Sequence, residues 1–314
     1  MKRVLYLSHA TPEVYSIIRE AVPTGFELVT LDANSDDERR SKIAACDVVV
    51  VASTPLRKSV IDAASRLDLV HHQGVGWQDT TDHEVLKARG IPLALTPEGT
   101  TVGVAEHTVL LILAALKLLP FADSELRQGR FHINALRPRS RELQGLTVGY
   151  IGMGRIAQAV AQRLVAFDTR GIFFDPVVSH MQGLEARTRD EVLCEADILT
   201  LHVPLTAQTQ HMIAGDELAR MKRGAYLVNA SRGGLVDEDA LVAALESGHL
   251  AGAALDVFET EPLPRDHPLT RLDNVVLTPH IAAGTRDALT IKMRALFANL
   301  QRFYAGEPLR NRVF

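Results

Sequence analysis

Residues 146–157 read LTVGYIGMGRIA, a short apolar run that leads directly into a glycine-rich turn. This pattern is typical of a β-strand whose turn opens a helix and receives the pyrophosphate of a dinucleotide. Gly152 and Gly154 stand where a tight turn and the approach of a phosphate each leave no room for a Cβ atom. Ala157 fills a third position that accepts Gly or Ala. The stretch therefore predicts the start of a dinucleotide-binding domain.

A single acidic residue ends the next apolar run. Asp175 follows a predicted strand at the distance from Gly152 that suits an acid binding the adenosine ribose hydroxyls. Its charge would repel a 2′-phosphate, so the sequence favours NAD (NADH) and disfavours NADP. Arg187 and Arg189 follow farther along the chain and leave that preference open. An ordinary turn before Pro176 is the alternative interpretation of Asp175.

Length and composition indicate a globular protein of two domains. The chain has 314 residues, and its net charge of −4 gives no basic surface for nucleic acid. Cys46 and Cys194 lack the spacing of a disulfide scaffold or metal site, so no metal is predicted and the cytoplasm is the expected compartment. Residues 102–119 carry Glu106 and His107 within an apolar run, which predicts a buried helix and no membrane partner.

Short apolar runs alternate with amphipathic stretches, which predicts an α/β fold of two Rossmann-like, doubly wound parallel sheets. The predicted strands are residues 4–7, 26–31, 48–51, 69–71, 91–95, 147–151, 171–174, 198–202, 225–229, 251–256 and 275–277. The main predicted helices are residues 102–127, 156–166, 238–247 and 286–304. We expect a flavodoxin-like, substrate-binding domain, an NAD-binding Rossmann domain and an interdomain active-site cleft. The expected domains are residues 1–99 with 285–314, and residues 100–284.

Three polar clusters follow predicted strands of the second half, at the sheet edge where parallel α/β folds bind ligands. The clusters are NASRGGLVDEDAL (229–241), LDVFETEP (255–262) and LTPHIAAG (277–284). They contribute one ionisable candidate each: Arg232, Glu261 and His280. A surface cation, a solvated loop acid and a capped strand end are the alternative interpretations of these three residues.

With VGYIGMGRIA (148–157), LHVPLT (201–206) and HQGVGW (72–77), these clusters resemble the D-isomer-specific 2-hydroxyacid dehydrogenase family, including its glyoxylate and hydroxypyruvate reductases. The resemblance implies hydride exchange with NAD(P) and a catalytic set of Arg232, Glu261 and His280. Their chemistry suits those roles. An imidazole exchanges protons near neutral pH, a carboxylate can orient the imidazole ring, and a guanidinium can bind a 2-oxo acid.

The resemblance also implies the residues that contact the two ligands. The cofactor set is Gly152, Gly154, Arg155, Ile156, Asp175, Val203, Pro204, Thr209, Ala230, Ser231 and Asp256. The substrate set is Ser53, Thr54, Val75, Gly76 and Arg232. Asp256 would hold the nicotinamide carboxamide, and a structural cap is the alternative for this strand-end acid.

We therefore expect an NAD-dependent dehydrogenase of a small 2-oxo or 2-hydroxy acid such as glyoxylate or hydroxypyruvate. Glu261 stands where related formate dehydrogenases have Gln, which argues against formate. Two alternatives stay open: an NAD-sensing binding protein resembling the C-terminal binding protein co-repressors, and a dehydrogenase of another oxyanion such as phosphite. The apolar helix that begins near residue 102 and the long arm 121–141 favour a homodimer.

Overall fold

A computed structural model describes residues 1–314, and in it the apolar runs form two parallel β-sheets. The strands are β1 (Lys2–Tyr6), β2 (Phe26–Val29), β3 (Val48–Val51), β4 (Leu69–His72), β5 (Leu93–Leu95), β6 (Thr147–Ile151), β7 (Arg170–Phe174), β8 (Leu184–Ala186), β9 (Ile198–Leu201), β10 (Tyr226–Asn229), β11 (Gly252–Leu255) and β12 (Val275–Leu277). The expected fold class of two parallel α/β sheets is confirmed.

Helices connect most of the strands. The α-helices are α1 (Pro12–Glu20), α2 (Asp36–Ile43), α3 (Lys58–Ile61), α4 (His83–Ala88), α5 (Thr100–Leu116), α6 (Leu119–Arg127), α7 (Arg155–Leu164), α8 (Arg189–Glu195), α9 (Gly215–Arg220), α10 (Glu238–Glu246) and α11 (Arg286–Tyr304). Short 3₁₀ helices lie at Val165–Phe167, Gly233–Leu235 and Pro268–Arg271.

The chain divides into two units, each with its own core. The first unit comprises Met1–Thr100 and Gly284–Phe314, and the second comprises Thr101–Ala283. The boundaries drawn from the sequence differ from these by one residue.

The five-stranded sheet of the first unit has the order β2-β1-β3-β4-β5, and all its neighbouring strands are parallel. All four valines of β3 are buried, as expected for a central strand covered on both faces. The strand order reverses between β1 and β3. In doubly wound folds, ligands bind outside the carboxyl ends of the strands at such a reversal.

The seven-stranded sheet of the second unit has the order β12-β11-β10-β9-β6-β7-β8, again with parallel pairs throughout. Its reversal lies between β6 and β9, directly beside the glycine-rich turn that follows β6. The short strand β8 was not predicted. Its three residues, LEA, contain no apolar run, and in the structure only Leu184 is partly buried.

The apolar stretch predicted as one helix over 102–127 is two helices, so that prediction was wrong. Leu118 adopts a left-handed conformation with φ of 53°, and α6 begins with a proline in its first turn. Because proline lacks the N–H that would continue the helical ladder, the helix cannot run through this point. No single helix is long and apolar enough to cross a membrane; α5 and α6 reach that length only as a pair bent by 63°.

A buried histidine links three parts of the first unit. The His71 side chain on β4 pairs through Nδ1 with Thr96 Oγ1 (3.2 Å) and through Nε2 with Asn299 Nδ2 on α11 (3.0 Å). Since the amide group donates to Nε2, the neutral ring carries its proton on Nδ1. Burial, with a smaller effect of the His72 charge, lowers the pKa of His71 to about 3. The network therefore requires a neutral imidazole.

We predict that His71 makes the first unit sensitive to acid. An unfolded histidine titrates near pH 6.5, so the stability from the neutral ring is fully present above that pH and falls as the pH drops towards 3. Between pH 7 and pH 5 this group alone removes about 2 kcal/mol from the free energy of unfolding. Urea unfolding of wild type and His71→Asn at both pH values measures the effect. An equal loss in both proteins would contradict it.

Candidate active site

The glycine-rich turn packs tightly against the loop that follows β9. Gly152 has a φ of +92°, and a Cβ atom there would lie 2.6 Å from the carbonyl oxygen of His202 and 2.8 Å from Val203 Cγ1. Its N–H donates to the carbonyl of Phe174 at the end of β7 (2.8 Å). Both backbone conformation and space therefore require glycine at this position.

Gly154 differs from Gly152 in its surroundings. Its φ is −73°, it is exposed, and no atom lies within 4 Å of a Cβ built there. The folded turn itself therefore excludes a Cβ at Gly152, whereas at Gly154 only a bound phosphate could exclude one, and that expectation stays a prediction. Gly154 caps α7 without a side-chain hydrogen bond. The first N–H groups of α7, from exposed Arg155 and partly buried Ile156 onward, are left to attract an anion.

Asp175 is bound by backbone amides at the end of β7. Its Oδ2 accepts the N–H of Met153 (2.7 Å), and Oδ1 accepts the N–H groups of Val177 and Val178 (2.8 Å each). Partial burial acts to raise the pKa of Asp175, but these three donors outweigh it, so the pKa is lowered and the group is a carboxylate at neutral pH. Asp175 lines a cavity of about 450 Å³ with Phe174 and other residues of this edge.

The predicted cofactor residues after β9 and β10 lie in two loops that are hydrogen-bonded to each other. Ser231 Oγ donates to the carbonyl of Val203 (2.7 Å), and Thr209 Oγ1 donates to that of Pro204 (2.7 Å). Ala230 is partly buried beside Ser231. The Ser231 hydroxyl therefore joins the two loops, and the Thr209 hydroxyl, which also accepts the N–H of Thr206 (2.8 Å), stabilises its own loop.

Arg232 follows β10 in a turn that contacts the loop after β11. Asn229 Nδ2 donates to the Arg232 carbonyl (2.8 Å), and Arg232 Nη1 donates to the Ser231 carbonyl (2.8 Å). A Cβ atom on Gly233 would lie 1.9 Å from the backbone carbon of Phe258. Glycine at 233 therefore allows the Arg232 turn and the 258–261 segment to lie against each other.

His280 and Glu261 form the hydrogen-bonded pair at this edge. His280 Nδ1 lies 2.8 Å from Glu261 Oε2, and Glu261 Oε1 accepts the N–H of Phe258 (3.1 Å). Burial acts to raise the pKa of Glu261, but the hydrogen bond and charge of His280, the Phe258 donor and the charge of Arg232 lower it overall. The side chain of His280 is 48% exposed, and Nε2 is the ring nitrogen left for a further partner.

The buried carboxylate of Asp256 anchors the loop that carries His280. Asp256 is fully buried, and it accepts the N–H groups of Ile281 (2.9 Å) and Ala282 (2.8 Å) and the hydroxyl of Thr278 (2.6 Å). Its carbonyl also accepts the N–H of His280 (2.7 Å). His280 has a φ of 52°, an uncommon value for a residue other than glycine, which these bonds stabilise. The predicted carboxamide contact of Asp256 stays a prediction.

Sequence reasoning did not assign a role to His107, which joins this network from α5. Its Nε2 lies 3.0 Å from Thr278 Oγ1 and 3.3 Å from Asp256 Oδ1. The available signal was a histidine beside Glu106 in a mostly apolar helix.

The predicted substrate residues of the first unit follow β3 and β4. Ser53 Oγ lies 3.2 Å from Ser8 Oγ, and the same Ser8 hydroxyl accepts the N–H of Thr54 (2.9 Å). Val75 is 42% exposed, and the carbonyl of Gly76 accepts a hydrogen bond from the Thr80 hydroxyl (2.9 Å). Ser8, which sequence reasoning missed, follows β1 at the point where the strand order reverses.

Comparisons with known proteins place the second unit in a described family. Residues 109–282 match the NAD binding domain of the D-isomer specific 2-hydroxyacid dehydrogenases. A glyoxylate reductase of Thermofilum pendens is 42% identical over 255 residues, which are 79% of this chain and 75% of that protein. A D-3-phosphoglycerate dehydrogenase of Archaeoglobus fulgidus is 36% identical over 99% of this chain, which spans 59% of that longer protein.

A solved structure extends the similarity to the whole fold. The NAD-dependent formate dehydrogenase of Staphylococcus aureus, in complex with NAD, superposes with a TM-score of 0.88 at 30% identity. The match covers 100% of this chain and 99% of that one.

We predict different consequences for alanine at the two glycines of the turn. Gly152→Ala forces a Cβ into the His202 carbonyl at a left-handed φ, so it lowers the free energy of unfolding by about 1–3 kcal/mol and weakens NADH binding. Gly154→Ala is the matched control, since it meets no protein atom. Its stability stays within about 0.5 kcal/mol of wild type while NADH binding weakens. Urea unfolding and NADH fluorescence titration measure both quantities, and equal destabilisation would contradict the assignment.

Proposed function

Because the chain belongs to the D-isomer specific 2-hydroxyacid dehydrogenase family, we propose that it reduces a small 2-oxo acid to the D-2-hydroxy acid with NADH, and catalyses the reverse reaction with NAD. The observation that best supports this reaction is the hydrogen bond between His280 and Glu261 beside Arg232. Such a set can exchange a proton with a carbonyl oxygen and bind an acid.

NAD is the cofactor, and the residues of the second unit fit it. The Gly152 turn and the amides at the start of α7 suit the pyrophosphate, and the Asp175 carboxylate beside its cavity suits the ribose hydroxyls. When bound, NADH supplies the hydride for the carbonyl carbon. We assign Val203, Pro204, Thr209, Ala230, Ser231 and Asp256 to the remaining cofactor contacts.

In this proposal His280 is the general acid and base: it donates the proton in the reduction and accepts it in the oxidation. As hydride reaches the carbonyl carbon, Nε2–H of the imidazolium donates its proton to the carbonyl oxygen, and the ring takes a proton from water before the next turnover. In the oxidation direction Nε2 accepts the hydroxyl proton. Glu261 holds Nδ1–H, so it orients the ring and stabilises its cationic form.

Arg232 binds the acid in this proposal. Its planar guanidinium offers paired donors to a carboxylate and to the neighbouring carbonyl oxygen, which a lysine cannot match with one compact ammonium group. We assign further substrate contacts to the backbone amides of Val75 and Gly76 and to Ser53 and Thr54.

A preference for NAD over NADP follows from the charges near Asp175. The ionised Asp175 would repel a 2′-phosphate. Arg187, which lines the same cavity, pairs with Glu185 and Glu195. Arg189 binds the Met212 carbonyl and therefore has its guanidinium engaged elsewhere.

Glyoxylate and hydroxypyruvate are the substrates we propose to test first. Each offers a carboxylate for Arg232 and a carbonyl oxygen that takes up a proton. Oxidation of formate to carbon dioxide transfers a hydride without delivering a proton to a carbonyl oxygen. That reaction does not require proton transfer by the His280–Glu261 pair, so we do not propose formate as the substrate.

A substrate panel with two variants tests the proposed function. We expect reduction of 2-oxo acids with NADH, measured as kcat/KM, to exceed that with NADPH. His280→Ala should lower kcat by about 10²–10⁴-fold with NADH affinity nearly unchanged. Arg232→Lys, which keeps the charge, should lower kcat/KM by about 10²-fold because the paired donors are lost. Undiminished turnover in His280→Ala would contradict the assignment, and oxidation of phosphite alone would point to another oxyanion.

We also propose that the chain forms a homodimer through the second unit. Apolar side chains are more than half exposed along α5, α6 and the segment that follows: Leu110, Leu119, Leu126, Phe131 and Ile133. The segment from α6 to β6 contains no regular element and is long for a simple connection. Light scattering should give twice the chain mass of 34.4 kDa, and a monomer mass at micromolar concentration would reject the dimer.

A further inference from the structure

Two glutamates of the second unit each accept a hydrogen bond from the other's backbone N–H. Oε1 of Glu238, at the start of α10, accepts the N–H of Glu259 (2.8 Å). Oε1 of Glu259, in the loop after β11, accepts the N–H of Glu238 (3.1 Å). We call this reciprocal pair the Glu238–Glu259 clasp. It ties two segments that lie 21 residues apart in the sequence.

Each carboxylate of the clasp also meets an imidazole. His267 Nε2 lies 3.2 Å from Glu238 Oε2, and His211 Nε2 lies 3.2 Å from Glu259 Oε1. The N–H of Leu269 donates to His267 Nδ1, so the neutral His267 ring carries its proton on Nε2, the ring nitrogen nearest to Glu238. Glu238 is only 8% exposed, and a carboxylate so buried is costly unless donors surround it.

The clasp joins the two segments that carry proposed catalytic residues. On one side, α10 follows the turn of Arg232, and Gly233 in that turn lies directly against the backbone of Phe258 and Glu259. On the other side, the loop continues from Glu259 to Glu261, whose carboxylate is 2.8 Å from His280 Nδ1. A shift of Glu259 would therefore move the acid partner of His280.

We propose that Glu238 and Glu259 are positioning residues, which hold the Glu261 carboxylate at His280 Nδ1 by fastening its loop to the Arg232 turn. This inference rests on the proposed function for its effect on turnover. The effect on the ring tautomer of His280 does not depend on the proposed function. While Glu261 accepts from Nδ1, the neutral ring of His280 is the Nδ1–H tautomer; when the loop moves, that preference is lost.

Three variants of the full chain separate this role from general stability. Glu238→Ala removes the acceptor for the Glu259 N–H, whereas Glu238→Gln keeps an oxygen in that place. Asp239→Ala is the matched control, because Asp239 lines a cavity of about 320 Å³ together with Glu238 and Glu259, but its side chain binds neither segment. We expect Glu238→Ala to lower kcat for glyoxylate by about tenfold or more, with NADH affinity and KM little changed. Glu238→Gln should stay within about threefold of wild type, and Asp239→Ala should equal it.

The tautomer of His280 gives a readout that does not depend on turnover. In protein labelled with ¹⁵N-histidine, the His280 signals are identified by their absence in His280→Asn. Wild type, Glu238→Gln and Asp239→Ala should show the Nδ1–H tautomer at high pH, and Glu238→Ala should shift towards Nε2–H. An unchanged tautomer in Glu238→Ala, or equal kcat in the alanine and glutamine variants, would overturn the inference. If wild type turns over no 2-oxo acid, the proposed function fails. The tautomer measurement still tests whether the Glu238–Glu259 clasp holds Glu261 at His280.

Discussion

The hydrogen bond from His280 to Glu261 is the interaction on which the proposed chemistry depends, and the second unit fixes it from both sides. The buried Asp256 carboxylate binds the backbone after His280 and so stabilises its left-handed conformation. Glu259 and Glu238 bind each other's amides and hold the loop before Glu261. Parallel strand pairing sets the larger frame, because β10, β11 and β12 are neighbours and end at one edge.

Much of the fold could be predicted from the sequence, because central parallel strands are continuous apolar runs. The strands at 48–51, 147–151 and 275–277 match their predicted bounds. The edge strand β8 was missed since its side chains are mostly exposed. The break between α5 and α6 was missed because apolar residues continue across it, and Pro120 was the only local sign of a new helix start.

The candidate site could be predicted only as far as its residues follow strand ends or a short motif. Arg232, Glu261 and His280 belong to that group. The contacts of His107 with Thr278 and of Glu238 with Glu259 join distant segments, and nothing in the spacing of these residues specifies such pairs. A glycine pattern also cannot tell whether the folded chain or a ligand excludes the Cβ.

A double-mutant cycle on His280 and Glu261 tests the central claim most directly. The rate of NADH oxidation by the best 2-oxo acid substrate is measured for wild type, His280→Ala, Glu261→Ala and the double variant. If Glu261 acts through His280, the double variant is no slower than His280→Ala, with a coupling energy of about 1–3 kcal/mol. Losses that multiply, with no coupling between the two sites, would contradict the account.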